Sequence, residues 1–192
     1  MVQVAGIVGY KNSGKTTLTH ALARELIARG HTVGVVKHTR HHLDLEGKDT
    51  AVLGESVAQV AIISQKEAAL LWKKPLSLED MLSYLAADIV LVEGFKEERT
   101  YPKIACLRGQ PDDANLFDGL LIAAVGPGYY AREDVPLFDR DDVPRIADLV
   151  ERKGFKLPNL DCGACGRETC YEMAREIVAG TGSVEECVPL SE

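Results

Sequence analysis

The stretch Gly9-Tyr10-Lys11-Asn12-Ser13-Gly14-Lys15-Thr16-Thr17 constrains this chain more than any other. A glycine, four residues, then Gly-Lys-Thr is the spacing of a phosphate-binding loop, or P-loop. The two glycines let the backbone curl until successive N–H groups point inward, at phosphate oxygens. A helix beginning near Lys15 adds its positive end. Lys15 is a point charge for β- and γ-phosphates, and the Thr16 hydroxyl can ligate Mg²⁺. The candidate nucleotide-binding set is Gly9, Lys11, Asn12, Ser13, Gly14, Lys15, Thr16 and Thr17. The bland alternative is a Gly/Ser/Lys-rich turn that matches by accident, and the flanks argue against it. Residues 2–8 are apolar and β-branched enough for a buried strand. Leu18, Ala21, Leu22 and Leu26, after the loop, fall on one helix face.

Strands and helices alternate along the rest of the chain. Gly30 suits the end of the first helix. Residues 32–37 read as a second strand, 49–54 as a short helix, and 57–63 and 67–72 as two adjacent strands. Ser77 is placed to cap a helix over 78–86. Residues 88–92 form a hydrophobic run suited to a central strand buried on both faces. Residues 103–107 give another strand and 120–125 the last, closing at Gly126-Pro127-Gly128. Asp141 or Asp142 then caps a helix from about Val143 to Arg152, with Pro144 in its first turn. This order predicts an α/β P-loop NTPase fold with a mostly parallel sheet and helices on both faces. The ligand site is expected at the carboxyl ends of the strands. The expected division is a nucleotide-binding domain over 1–153, a linker over 154–160, and a small cysteine-ligated module over 161–192.

A second carboxylate completes the expected site. Glu93 ends the hydrophobic run of residues 88–92, where the strand beside a P-loop presents an acid to Mg²⁺ or to a water at the γ-phosphate. Lys15 and Glu93 are the candidate catalytic residues, and Thr16 and Glu93 the candidate Mg²⁺ site. The competing reading is that Glu93 only precedes a turn at Gly94. The polar stretch 37–50 sits where many P-loop proteins carry a mobile switch. Its Lys37, His38, Arg40, Asp44 and Asp49 are candidates for a switch or a second anionic ligand. A solvated loop is the plain alternative. A metal site at His38, His41 and His42 is a weaker one, because it lacks a fixed-spacing partner.

The composition narrows the partners. A net charge of −7 argues against a nucleic-acid binder, which needs a basic face. No run reaches the ~18 apolar residues of a membrane span. No secretory signal is visible, so a cytoplasmic protein is expected. Of five cysteines, four crowd into residues 162–187, as Cys162, Cys165, Cys170 and Cys187. The spacing C-x2-C-x4-C-x16-C offers four thiolates to a [4Fe–4S] cluster, with Gly163 and Gly166 letting the backbone wrap. A helix from Glu168 is expected to carry Cys170 into the site. Zinc is the main rival, although structural zinc sites usually pair two short C-x2-4-C knuckles. Cys106 reads as a small core residue.

Two resemblances add to this reading. Residues 1–152 resemble the molybdopterin-guanine dinucleotide biosynthesis protein B (MobB) family. The matching pieces are Gly-Tyr-Lys-Asn-Ser-Gly-Lys-Thr-Thr-Leu at 9–18, Val-Lys-His at 36–38, Gly-Lys-Asp-Thr at 47–50, Asp-Ile-Val-Leu-Val-Glu-Gly-Phe-Lys at 88–96 and Pro-Lys-Ile at 102–104. Residues 161–188 are similar to the small [4Fe–4S] domain of some electron-transfer and corrinoid proteins, with Ala174, Ile177 and Gly180 matching as well as the cysteines. The MobB resemblance implies GTP as the nucleotide, a homodimer and weak GTPase activity. It also implies assistance to the MobA-like guanylyltransferase that joins GMP to molybdopterin, giving the dinucleotide. No Asn-Lys-x-Asp base-reading motif is present, so guanine follows from the resemblance alone. Two other classes stay open at this point. One is a nucleotide-driven metal-centre chaperone, either an iron–sulfur carrier ATPase or a nickel-inserting GTPase. The other is a redox-sensing adaptor.

Overall fold

The computed structural model describes residues 2–39, 43, 49–128 and 132–191. Contacts divide the chain into two units: Thr39–Tyr84 is one and the remainder is the other.

The larger unit is built on a six-stranded, all-parallel sheet. Its strands are β1 (Gln3–Gly9), β2 (Val33–Lys37), β5 (Ile89–Glu93), β6 (Lys103–Cys106), β7 (Leu121–Val125) and β8 (Leu137–Phe138), in the order β2-β5-β1-β6-β7-β8. Every residue of β5, β6 and β7 is buried. That burial accounts for their unbroken apolar runs, because a parallel sheet covered on both faces has no solvent side to alternate with. Ala5, Ile7, Leu91, Ile104 and Ala123 face one core, into which α1 (Lys15–Ala28) sends Leu18, Leu22 and Leu26. The same core receives Ile146, Ala147 and Val150 of α4 (Val143–Lys153). The opposite face carries Val8, Ala105, Leu107 and Ala124, closed by Leu116 of a 3₁₀ turn at Pro111–Leu116 and by Val135.

Strand β8 follows the strand expected to be the last. Two residues are too few to show a strand period, so only the pairing Ala124↔Leu137 and Val125↔Phe138 reveals it. Asp142 stands at the N-cap of α4 without a side-chain cap bond. Its carboxylate accepts instead from the backbone N–H of Asp139, at 3.2 Å.

The stretch 154–160, expected as a linker, is packed over part of its length. Phe155 and Leu157 are buried with Leu120, and the Leu157 N–H donates to the Thr100 carbonyl at 2.8 Å. The same apolar cluster takes Cys170, Met173 and Ala174 from α5 (Cys170–Ala179), and Cys187. The helix begins at Cys170, two residues later than the sequence suggested. The Thr169 side chain caps it, accepting from the Glu172 N–H at 3.2 Å. Gly180, in the left-handed conformation at φ 78°, ends it. A four-residue helix, α6 (Val188–Ser191), follows Cys187.

The smaller unit holds α2 (Asp49–Gly54), the antiparallel pair β3 (Gln59–Ile63) and β4 (Ala68–Trp72), and α3 (Leu78–Ser83). Ser77 caps α3 in a reciprocal box with Asp80, each side chain accepting from the other's backbone N–H at 3.0 Å. Among the described residues no helix is long and apolar enough to cross a membrane.

One buried charge stands out in the core. Lys103 on β6 is 1% exposed, and its ammonium pairs with Asp118 at 2.5 Å and donates to the Lys96 carbonyl at 2.7 Å. Removing one partner of such a pair strands the other charge away from water. Asp118→Ala is expected to cost about 3 kcal/mol in urea denaturation. A loss under about 0.5 kcal/mol, the size of an ordinary surface substitution, would show that Lys103 is solvated in some other way.

Candidate functional site

The P-loop lies at the carboxyl end of β1. Gly14, at φ 88°, occupies the N-cap of α1 in the left-handed region that glycine adopts without strain. Asn12 is also left-handed, at φ 64°. The Lys15 ammonium folds back to donate to the Tyr10 carbonyl at 2.7 Å. Lys15 also begins α1, so the orphan N–H groups of that helix face the same space. Ser13 is 2% exposed and its Oγ has no hydrogen-bond partner among the described residues.

Sheet register brings the rest together. Ile7 of β1 and Lys37 of β2 both align with Glu93 of β5. Lys37 and Glu93 are therefore lateral neighbours at the strand ends, and the Lys37 ammonium meets Glu93 Oε1 at 2.8 Å. The Thr16 hydroxyl donates to that same oxygen at 3.0 Å, and Lys37 donates to Thr16 Oγ1 at 3.2 Å. Glu93 is 6% exposed. A carboxylate this buried is held by a cation and a hydroxyl, each on a different element. Thr16 and Glu93 are hard oxygen ligands of the kind Mg²⁺ takes beside phosphates.

The turn after β5 carries further groups. Gly94, at φ 101°, passes so close to His38 that a Cβ there would sit 2.9 Å from the His38 Cβ. The His38 ring packs on Phe95 at 4.7 Å, and its backbone N–H donates to the Glu93 carbonyl at 2.9 Å. The Lys96 ammonium stands 3.5 Å over the Tyr10 ring, and the Arg108 guanidinium 4.7 Å from the same ring. Burial, then the charges of Lys15 and Arg108, push the Lys96 amine below its ordinary value. Positive charge thus gathers around the P-loop of a chain whose net charge is −7.

The structure brings together Lys15, Thr16, Lys37 and Glu93. It places His38 beside them as a packing residue of the Gly94 turn. Asp49 opens α2 in the smaller unit. Arg40 and Asp44, with His41 and His42, lie outside the described residues. Lys96, Arg108 and Arg140 escaped the sequence reading. Lys96 was within reach, since it ends the Val-Glu-Gly-Phe-Lys stretch. Arg108 and Arg140 carry no local signal. Cys106 is a core residue at the floor of the loop, where a Cβ on Gly9 would meet its carbonyl at 2.8 Å. Burial pushes its thiol up to about 12, so it is no nucleophile near neutral pH.

The four other cysteines line one pocket, with Pro158, Met173 and Pro189 as its apolar wall. Cys162 is exposed, Cys165 half-buried, and Cys170 and Cys187 buried. Burial, and then the neighbouring thiols of Cys170, Cys165 and Cys162, raise the Cys187 thiol against the lowering effect of a Leu190 backbone bond. Among the described residues no three His, Cys, Asp or Glu side chains stand at ligating geometry around a common centre. The wrap itself is firmly built. Asp161 accepts from the Cys170 N–H at 2.6 Å. Arg167 donates to Glu176 at 2.7 Å and to the Cys165 carbonyl at 3.1 Å, and pairs with Glu186 at 2.7 Å. One guanidinium thus ties the loop holding Cys165 to α5 and to the turn before Cys187. Four thiols around an apolar pocket are a donor set that fits an iron–sulfur cluster.

The sheet order, the loop after β1 and the acid at the end of the neighbouring strand define a protein of the P-loop NTPase fold. Residues 4–126 match the family model described as "Molybdopterin guanine dinucleotide synthesis protein B", and residues 157–189 match one described as "Putative Fe-S cluster". The chain belongs to the MobB family. It is 38% identical to the molybdopterin-guanine dinucleotide biosynthesis adapter protein of Haemophilus influenzae, over 78% of this chain and 88% of that protein. A Methanocaldococcus jannaschii protein, named "Putative molybdopterin-guanine dinucleotide biosynthesis adapter protein", is 29% identical over 97% of this chain and 77% of its own length. The crystal structure of Bacillus subtilis MobB superposes with a TM-score of 0.65 at 26% identity, covering 80% of this chain and 98% of that one.

Proposed function

We propose that this chain is a GTP-binding adapter of molybdopterin guanine dinucleotide synthesis with weak, Mg²⁺-dependent GTPase activity. The observation that carries the reading is the meeting of Thr16, Lys37 and Glu93 at the start of the P-loop helix in a chain of the MobB family. The backbone from Asn12 to Thr17 wraps the phosphates, and Lys15 leaves the Tyr10 carbonyl to neutralise them. Thr16 and Glu93 would hold Mg²⁺ or its water, and the ion would supply charge neutralisation at the phosphates. Lys37, at the same carboxylate, is the cation placed to meet the γ-phosphate. Electrostatic positioning of this kind supplies most of the catalysis in phosphoryl transfer. The partners are a MobA-like guanylyltransferase and molybdopterin or its dinucleotide, and a second copy of the chain, in the cytoplasm.

Cys162, Cys165, Cys170 and Cys187 hold a [4Fe–4S] cluster in a module over 161–192. When bound, such a cluster supplies one-electron chemistry or a rigid cross-link of the chain. The exposure of Cys162 supports a cluster reachable from solvent. That exposure also favours a second reading, in which the cluster is a redox sensor or cargo.

The nucleotide assignment is tested by calorimetric titration of Mg·GTP into wild type and Lys15→Ala. The variant is expected to bind about a hundredfold more weakly, with its melting temperature unchanged. Wild-type affinity in Lys15→Ala would sink the assignment. The cluster is tested by metal content. Anaerobically reconstituted wild type should hold about four irons per chain, and Cys187→Ser clearly fewer. Preferential uptake of about one tetrahedral, thiolate-bound zinc would overturn the cluster.

A further inference from the structure

The sequence carries no Asn-Lys-x-Asp base-reading motif, yet an open pocket lined by polar and charged side chains adjoins the P-loop. It is lined by Lys11, Asn12, Arg108, Gln110, Asp112 and Arg140. Its position fixes which end of a nucleotide it takes. Thr16, Lys37 and Glu93 gather on the β2–β5 side of the loop, so the γ-phosphate and its metal lie there. Arg108 follows β6 and Arg140 follows β8, on the other side of β1 in the strand order. The nucleoside therefore extends toward β6 and β8, into this pocket.

The two guanidiniums are not equivalent. Arg108 is committed, with its Nη2 2.7 Å from both carboxylate oxygens of Asp112 and its plane against Tyr10. Arg140 makes no hydrogen bond or ion pair among the described residues. The flanking Asp142 is engaged with the Asp139 N–H and lies 3.9 Å from Arg145. Arg140 reaches over the P-loop, close enough that a Cβ on Gly14 would meet its Nη1 at 2.4 Å. A five-donor fork without a partner among the described residues thus sits over Gly14 of the P-loop, at one wall of the pocket.

Guanine and adenine differ at the edge such a fork reads. Guanine presents two acceptors, O6 and N7, which an arginine meets with two parallel N–H bonds, whereas adenine presents N7 beside an N6 amine that opposes a donor. We propose that Arg140 is the guanine-selecting residue of this protein and recognises the O6/N7 edge of the base. The assignment rests on the P-loop reading above. Gln110 lines the same pocket, and its amide suits adenine in this pairing code, so the two side chains predict opposite preferences.

Calorimetric titration with four Mg²⁺-bound nucleoside triphosphates decides between them. GTP and ITP carry both O6 and N7, 7-deaza-GTP lacks N7, and ATP lacks O6. Wild type should bind GTP and ITP about tenfold or more tightly than 7-deaza-GTP and ATP. Arg140→Ala should abolish the discrimination, weakening GTP and ITP about tenfold or more and the other two, which keep one acceptor each, clearly less. Arg140→Lys, which keeps the charge but not the fork, should also lose the discrimination. Equal weakening of all four by Arg140→Ala would make Arg140 a phosphate contact and overturn the proposal. An unchanged profile in that variant, or an ATP preference in wild type, would overturn it too. Lys15→Ala separates the two readings. Loss of all four ligands there, beside an unaltered Arg140→Ala, retires the base assignment alone. Retention of all four retires the nucleotide site and the base assignment together.

Discussion

The site depends on a buried carboxylate with two claimants. Glu93 lies at the end of a strand whose every residue is buried, and its Oε1 is shared by the Thr16 hydroxyl and the Lys37 ammonium. An ionised carboxylate in such a place must be paired, because leaving water costs far more than any single hydrogen bond returns. The pairing joins three elements that are distant in sequence: the first turn of α1, the end of β2 and the end of β5. They meet because parallel strands in register stop at the same level, and because α1 starts where β1 stops. Lys37 supplies the positive charge that this buried carboxylate requires, so the pair is neutral as it stands.

Much of this was legible in the sequence, for identifiable reasons. The loop shows because phosphate binding needs glycines and a lysine at fixed spacing. Glu93 shows because an acid at the end of a hydrophobic run is conspicuous. Lys37 reads as the end of a strand and as a candidate for a switch or a second anionic ligand, but its partnership with Glu93 depends on strand order. The two residues of β8 are too short to read, and Arg140, which follows them, carries no local signal of its own. The cations around Tyr10 come from three separate segments, and no local pattern links them.

The cysteine module follows the same division. Its cysteine spacing was plain from the chain, and Thr169 rather than Glu168 sets where α5 begins. What the sequence did not display is how the module is anchored. The Tyr171 hydroxyl, next to Cys170, donates to the Asp118 carbonyl at 2.6 Å. Asp118 in turn neutralises the buried Lys103, which donates to the carbonyl of Lys96. Lys96 covers the ring of Tyr10 in the P-loop. The core charge on β6 therefore holds both the turn after Glu93 and the segment on which α5 rests. A chain read as two modules in series is stitched together by polar contacts through one buried ion pair.

The central claim is that Glu93 and Thr16 hold the metal of a bound nucleotide. Mn²⁺ in place of Mg²⁺ makes that metal visible by electron paramagnetic resonance. With saturating GTP, the wild-type protein is expected to hold one tightly bound Mn²⁺ per chain, about one being the usual complement of such a site. In Glu93→Gln that Mn²⁺ should bind at least tenfold more weakly, the size expected for the loss of one supporting carboxylate. Equal Mn²⁺ affinity and an identical spectrum in the variant would mean that Glu93 only anchors Lys37, and that the metal is held elsewhere.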